Sequence, residues 1–201
     1  MPPGRPRSFD TELALADAQD LFWRRGYRDT TTRDLESRLG VNQSSLYNAF
    51  GSKAELLDAV LERYEHQLED EVIGPLRGDV AGLASLEGFV ERFVDWLVAH
   101  GARGCLIARM MGEGGDLGPA VADRLGSYRA ELRYVLRDGL RRAARAGEIA
   151  GSSVERRADL LLSAVLGVNL GAQGGADGDA IRRMGRSIRT EISSWRIDLS
   201  A

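Results

Sequence analysis

Apolar residues recur at helical spacing along nearly the whole chain, and no stretch alternates apolar and polar positions as a half-buried strand would. An all-α fold is therefore predicted. Ala14, Ala18, Leu21 and Phe22 share one face of a helix at about 10–25, and Gly26 suits its C-terminal cap. Leu35 and Leu39 mark a short helix at 32–39, which Gly40-Val41-Asn42 joins to another at 43–49. Ser52-Lys53-Ala54-Glu55 reads as a capping box, Ser at the cap and Glu three residues on. It opens a long helix to about residue 72, ended by Gly74-Pro75.

The pattern continues in the second half. Leu86, Phe89, Val90, Phe93, Val94, Leu97 and Val98 form a wide apolar stripe. A short helix runs from Leu106 to Gly112 into a glycine-rich stretch, and Val121 to Leu140 mark a long helix ending near Gly147. Residues 154–170 are apolar on nearly every side after Arg157, and Ile181, Met184, Ile188, Ile192 and Trp195 give one clean stripe on a final helix. Nine helices are predicted, in two parts: residues 1–52, and residues 53–201 joined to them through the helix at 53–72.

Composition narrows the function. The net charge is −3, and the first 64 residues carry nine basic against ten acidic groups, so global charge does not announce a nucleic-acid binder. Recognition depends instead on where charges sit. Residues 1–9 hold Arg5 and Arg7 and no acid, and residues 39–54 hold Lys53 and no acid. One cysteine, Cys105, and two histidines exclude a Cys/His zinc cage, and neither metal nor cofactor is expected. No run approaches the ~18 apolar residues of a membrane span. No apolar stretch follows the basic start as in a secretory signal, so a cytoplasmic protein is expected.

Two short helices joined by a glycine-containing turn at 32–50 describe a helix-turn-helix. Leu35, Leu39, Val41, Leu46 and Phe50 would lock them to the first helix, leaving Gln43, Ser44, Ser45, Tyr47 and Asn48 outward. Amides and hydroxyls suit a major groove, where Gln and Asn can pair with adenine and hydroxyls with any base or phosphate. The same pattern also describes an ordinary solvated face, and the motif alone leaves both readings open.

Further pieces occur in order: Gly4-Arg5-Pro6-Arg7, Leu21-Phe22-Trp23-Arg24-Arg25-Gly26-Tyr27, Thr30-Thr31-Thr32, Leu39-Gly40-Val41, Ser45-Leu46-Tyr47-Asn48-Ala49-Phe50 and Gly51-Ser52-Lys53. On them, residues 4–64 resemble the N-terminal domain of TetR-family transcriptional regulators. The resemblance implies a three-helix DNA-binding domain followed by a helical effector-binding and dimerisation domain. It assigns Thr32 and Arg33 to the DNA backbone, Gln43, Ser44, Ser45 and Asn48 to the groove, and Tyr47 and Lys53 to phosphates. Arg5 and Arg7 would form an arm over the backbone or into the minor groove; the alternative for them is a terminus that touches nothing. Glu36, where many members carry alanine, departs from the pattern and is expected at the rim.

The resemblance also implies double-stranded operator DNA, a second copy of the chain and a small-molecule effector as partners. Leu160, Leu161, Val165 and Val168, with Ile181, Met184, Ile188, Ile192 and Trp195, are expected at the dimer interface. Trp96, Met110, Tyr128, Leu132 and Leu166 are candidate lining for a mostly apolar effector, with Arg109 and Asn169 as polar contacts; a closed core is the alternative. Glu113 and Asp116 read as solvated loop carboxylates. No nucleophile elbow, zinc-protease or phosphate-loop motif is present, so an enzyme is not expected. The competing reading is an all-α small-molecule binding protein or enzyme that keeps the helix-turn-helix only as scaffold.

Overall fold

The computed structural model describes residues 10–78, 82–114 and 117–197, which form helices and turns without a strand. Arg5, Arg7 and Asp116 lie outside the described residues. Side-chain caps set where the first helices begin. Asp10 accepts the Glu12 and Leu13 amides and opens α1 (Thr11–Arg25). Thr31 and Asp34 form a reciprocal capping box at α2 (Thr32–Leu39). Asn42 caps α3 (Gln43–Phe50) and Ser52 caps α4 (Lys53–Leu68). Each cap gives a partner to a first-turn N–H that has none inside its own helix.

The helix predicted to end at Gly74-Pro75 instead passes through a π-helical turn, Glu69–Ile73, into a short helix α5 (Gly74–Arg77). Pro75 is tolerated because it sits in a first turn, where its missing N–H is no loss. Gly74 is required because a Cβ there would lie 2.7 Å from the Glu69 carbonyl oxygen. The remaining helices are α6 (Leu83–Ala99), α7 (Leu106–Glu113), α8 (Pro119–Arg145), α9 (Val154–Gln173) and α10 (Gly178–Ser194).

Ala18, Phe22, Leu35 and Leu46 bury the faces on which α1, α2 and α3 meet, and Leu56 and Leu57 of α4 join them. One apolar cluster then continues along α4 into α6, α7, α8 and α9, so the two parts share a core. Burying each large side chain stabilises by roughly 1.5–3 kcal/mol, and a shared core makes a tilt of α4 felt at both ends.

Six of the nine residues expected at the dimer interface are taken up within the single chain. Leu161, Val165, Val168, Ile181, Ile192 and Trp195 are buried within the single chain, because α9 lies along α8 and α10 along α6. Leu160 and Met184 remain exposed and Ile188 half-buried. The approach of α10 to α6 is set by Gly185, where a Cβ would lie 2.6 Å from Val94 Cγ2. Gly185→Ala should therefore lower stability by about 1–3 kcal/mol, as over-packing does. Urea denaturation checks this, and an unchanged midpoint would contradict the close contact.

Candidate nucleic-acid interface

α3 turns Leu46 and, at its end, Phe50 inward and leaves Gln43, Ser44, Ser45, Tyr47 and Asn48 exposed. Gly40 makes the turn before it possible: its φ of 66° and ψ of 28° lie in the left-handed region that a Cβ disfavours. Asn42 then fixes the start of α3, its Oδ1 accepting the Ser45 amide at 2.8 Å and the Ser44 hydroxyl at 2.7 Å. Ser44 is thus partly committed to the cap, whereas Gln43, Ser45 and Asn48 are not. Glu36 is half-buried, at the rim as expected.

Beside α3, Thr32 is half-buried at the start of α2 and Arg33 is exposed, with no ion pair among the described residues. Other cations of this region are tied down, Arg25 to Asp34 at 2.6 Å and Arg38 to Asp17 at 2.9 Å. Lys53, the first residue of α4, does not project freely. Its Nζ lies 4.1 Å from the centre of the Tyr27 ring, and burial lowers its pKa, opposed by Glu113, Asp29 and Asp34.

Glu113 is not the solvated loop carboxylate expected. It closes α7, and its two oxygens accept the backbone amides of Tyr27 (3.1 and 2.9 Å) and Arg28 (3.1 Å). Arg109, one turn earlier, stands 3.7 Å from it. Gly26 clears the approach, since a Cβ there would overlap the Glu113 carboxylate. The other end of α7 is held as firmly. The Gly104 carbonyl accepts Trp23 Nε1 at 2.9 Å, the Cys105 amide donates to Asn169 Oδ1 at 2.7 Å, and the Leu106 amide donates to the Tyr64 hydroxyl at 3.1 Å. Arg103 adds a 2.9 Å ion pair to Asp20 and lies over the Trp23 ring. None of these partners was singled out from sequence as a link between the two parts. The signals were Gly26, and Gly104-Cys105-Leu106 at the start of α7.

The body of α7 borders two spaces. An inner apolar cavity of about 30 Å³ is lined by Tyr128, Leu132, Leu166 and Asn169 of the expected residues, with Ile107, Ala108 and Met111 from α7. That is room for about one water molecule. An outer groove of about 540 Å³ between α7 and α8 is lined by Met110, Met111, Leu125 and Leu166 among others. Trp96 and Arg109 line neither. Trp96 stacks with Trp23 and with His100 at ring distances of 5.6 and 4.2 Å. Arg109 turns towards Glu113 instead. Asn169 has both ends of its amide engaged, to the Cys105 amide and the Val165 carbonyl, so it is a structural link before it is a ligand contact.

A model of the tetR family of bacterial regulatory proteins matches residues 14–60, and a model of the tetracyclin repressor-like C-terminal domain matches residues 82–188. The chain is 45% identical over 62 residues to the HTH-type transcriptional repressor BdcR of Escherichia coli (strain K12), covering 31% of this chain and 32% of that protein. The match thus spans about a third of that relative's length. It is 28% identical over 153 residues to the HTH-type transcriptional regulator YezE of Bacillus subtilis (strain 168), covering 76% and 79%. A cysteine variant of the TetR-family regulator CifR, solved with 26bp double-strand operator DNA, superposes with a TM-score of 0.83 at 27% identity, covering 96% of this chain and 100% of that one.

The capping box of α2 predicts a pH effect. The Thr31 hydroxyl and then the Thr31 amide hold the Asp34 carboxyl at a pKa of about 2, below its ordinary 3.8. A lowered folded-state pKa adds stability above the unfolded value and loses it as pH falls through the folded one. The thermal midpoint of the parent should exceed that of Asp34→Ala near neutrality, and the gap should close as pH drops from about 4 to about 2. A gap constant across that range would contradict the assignment.

Proposed function

The chain belongs to the tetR family of bacterial regulatory proteins, and on that premise we propose that it is a cytoplasmic transcriptional repressor that grips double-stranded operator DNA as a homodimer and is released by a small molecule. The observation that carries the reading is the outward face of α3, where uncharged amides and hydroxyls stand on a capped, rigid helix with no carboxylate among them. Gln43, Ser45 and Asn48 are its base-reading candidates; Arg33, Tyr47 and Lys53 its phosphate contacts, Lys53 after leaving the Tyr27 ring. The DNA-reading part ends near residue 52, and α4 carries its position into the effector half. No catalytic step belongs to this reading.

For the dimer, the support lies in what a single chain leaves uncovered. Leu160, Ser163, Gly167 and Leu170 share an exposed face of α9, and Met184 and Ile188 adjoin it on α10. Met184 lies on Gly171, where a Cβ would come within 3.0 Å of its Cε, so the two helices present one surface. A two-fold pairing there would carry two copies of α3 to half-sites about 34–36 Å apart or a multiple of that.

For control, the support is the position of α7. Its side chains border the cavity and the groove, while its end residue holds the turn between α1 and α2. A ligand that wedges α7 aside loosens the hold of Glu113 on Tyr27 and Arg28, and the DNA-reading helices lose their fixed setting. It achieves this only through tighter binding to the displaced state, and the coupling is reciprocal.

Binding to DNA flanking its own gene tests the core of the proposal. Affinity no better than for random duplex of equal length would overturn it and favour the small-molecule-binding reading. Gln43→Ala should change preference at one base pair by about 1–3 kcal/mol, read from a panel of singly substituted operators. Leu170→Glu should weaken dimerisation at least about tenfold, one decade being ~1.4 kcal/mol, as seen by light scattering at unchanged helical content. Glu113→Ala should weaken operator binding and shrink the factor by which ligand and operator oppose each other, normally about 5–150-fold. Glu113→Gln, keeping one acceptor, should fall between. An unaltered factor in Glu113→Ala would sink the role given to α7.

A further inference from the structure

The inner cavity and the outer groove share three lining residues, Met111, Arg129 and Leu166. Met111 and Leu166 are the apolar partition between them. Arg129 is different: among the described residues lining either space, it is the one charged side chain.

Its neighbours on α8 make that informative. Arg124 is paired with Asp58 and Glu65, Arg133 with Glu155 and Asp159, Arg141 with Glu155, and Arg142 with Asp138. Arg129 is exposed and has no ion pair or hydrogen bond among the described residues. An unpaired guanidinium over an apolar interior accepts an anionic head, above all a planar carboxylate that it can hold through two parallel N–H donors. It repels a cation and offers a neutral hydrocarbon nothing. A second candidate donor is the preceding residue. Tyr128 lines the inner cavity, its hydroxyl bonds to no described residue, and burial pushes its pKa well up, so it stays protonated.

Resting on the reading of the effector half given above, we propose that the effector is an amphipathic carboxylate. Its head lies on Arg129 at the mouth, within reach of Tyr128. Its apolar body fills the groove and passes Met111 and Leu166 towards the inner cavity. The cavity holds only about 30 Å³, so a body of any length must push α7 away from α8 and α9 to enter. The same displacement strains the contact of Glu113 with the turn after α1.

Octanoate, octanol and octylamine, titrated calorimetrically into the full chain, separate head from body. Octanoate should bind at least about tenfold tighter than octanol, the scale of a charge-assisted pair, and octylamine weakest. Arg129→Gln should remove the preference for octanoate and leave octanol unchanged, and Arg129→Lys should restore part of it. Octanol or octylamine binding as tightly as octanoate, octanoate ignoring Arg129→Gln, or octanoate failing to bind the parent chain would each overturn the proposal. Ala108→Trp, which fills the inner cavity, distinguishes the underlying reading. It should block octanoate and octanol alike, and unimpaired binding of both would remove the site itself rather than the choice of head group.

Discussion

The structure turns on how α7 is held. Its helical body offers apolar side chains to the core, but its placement depends on polar groups at its two ends. At one end three successive residues, Gly104, Cys105 and Leu106, each give a backbone group to a different element: Trp23 of α1, Asn169 of α9 and Tyr64 of α4. At the other, one carboxylate takes two backbone amides of the turn after α1. Buried backbone groups cost heavily when left unpaired, so these bonds fix α7 against three helices at once. The DNA-reading helices are thereby set by the effector half as well as by their own small core.

That arrangement gives the family's two-part architecture a specific physical content here. α4 connects the parts along the chain, and α7 connects them across it. The Trp23, Trp96 and Tyr64 rings pack edge-to-face and stacked at the same junction, with centroids 5.2–5.6 Å apart. Such a junction is dense and deforms poorly. On the proposed reading, a displacement in the cavity therefore swings α7 about its Gly104–Leu106 end rather than being absorbed around it. The near-closed cavity agrees with this, since it leaves little slack between α7 and the helices opposite.

Helix positions were legible in the sequence wherever a cap or a glycine punctuated a periodic stripe, as at Asn42, Ser52 and Gly26. The failure at Gly74-Pro75 has a local cause: a π turn absorbed the register change, and proline landed in a first turn where it is tolerated. The apolar stripe of Ile181 and Ile192 was visible, but periodicity does not say which surface a stripe meets. It met α6 of the same chain, leaving the outward surface to Leu160, Leu170 and Met184. Trp96 looked like cavity lining because an aromatic on a stripe always can; its real partner, Trp23, is far away in sequence. Glu113 was passed over because a carboxylate among glycines is ordinarily solvated. Only the fold shows that Gly26 leaves a gap of the right size opposite it. The outward residues of α3 were the most legible, because a short helix pinned by Leu46 and Phe50 has little freedom in what it exposes.

The central claim is that α7 transmits occupancy of the effector half to the turn between α1 and α2. Hydrogen exchange at single amides tests it most directly, on the full chain with and without any small molecule that releases the operator. The account predicts that the Tyr27 and Arg28 amides, held by Glu113, exchange faster when ligand is bound, while the Leu106 amide, held by Tyr64, keeps its protection. Operator release with the Tyr27 and Arg28 amides as protected as before would contradict it, and the signal would then have to travel along α4 alone.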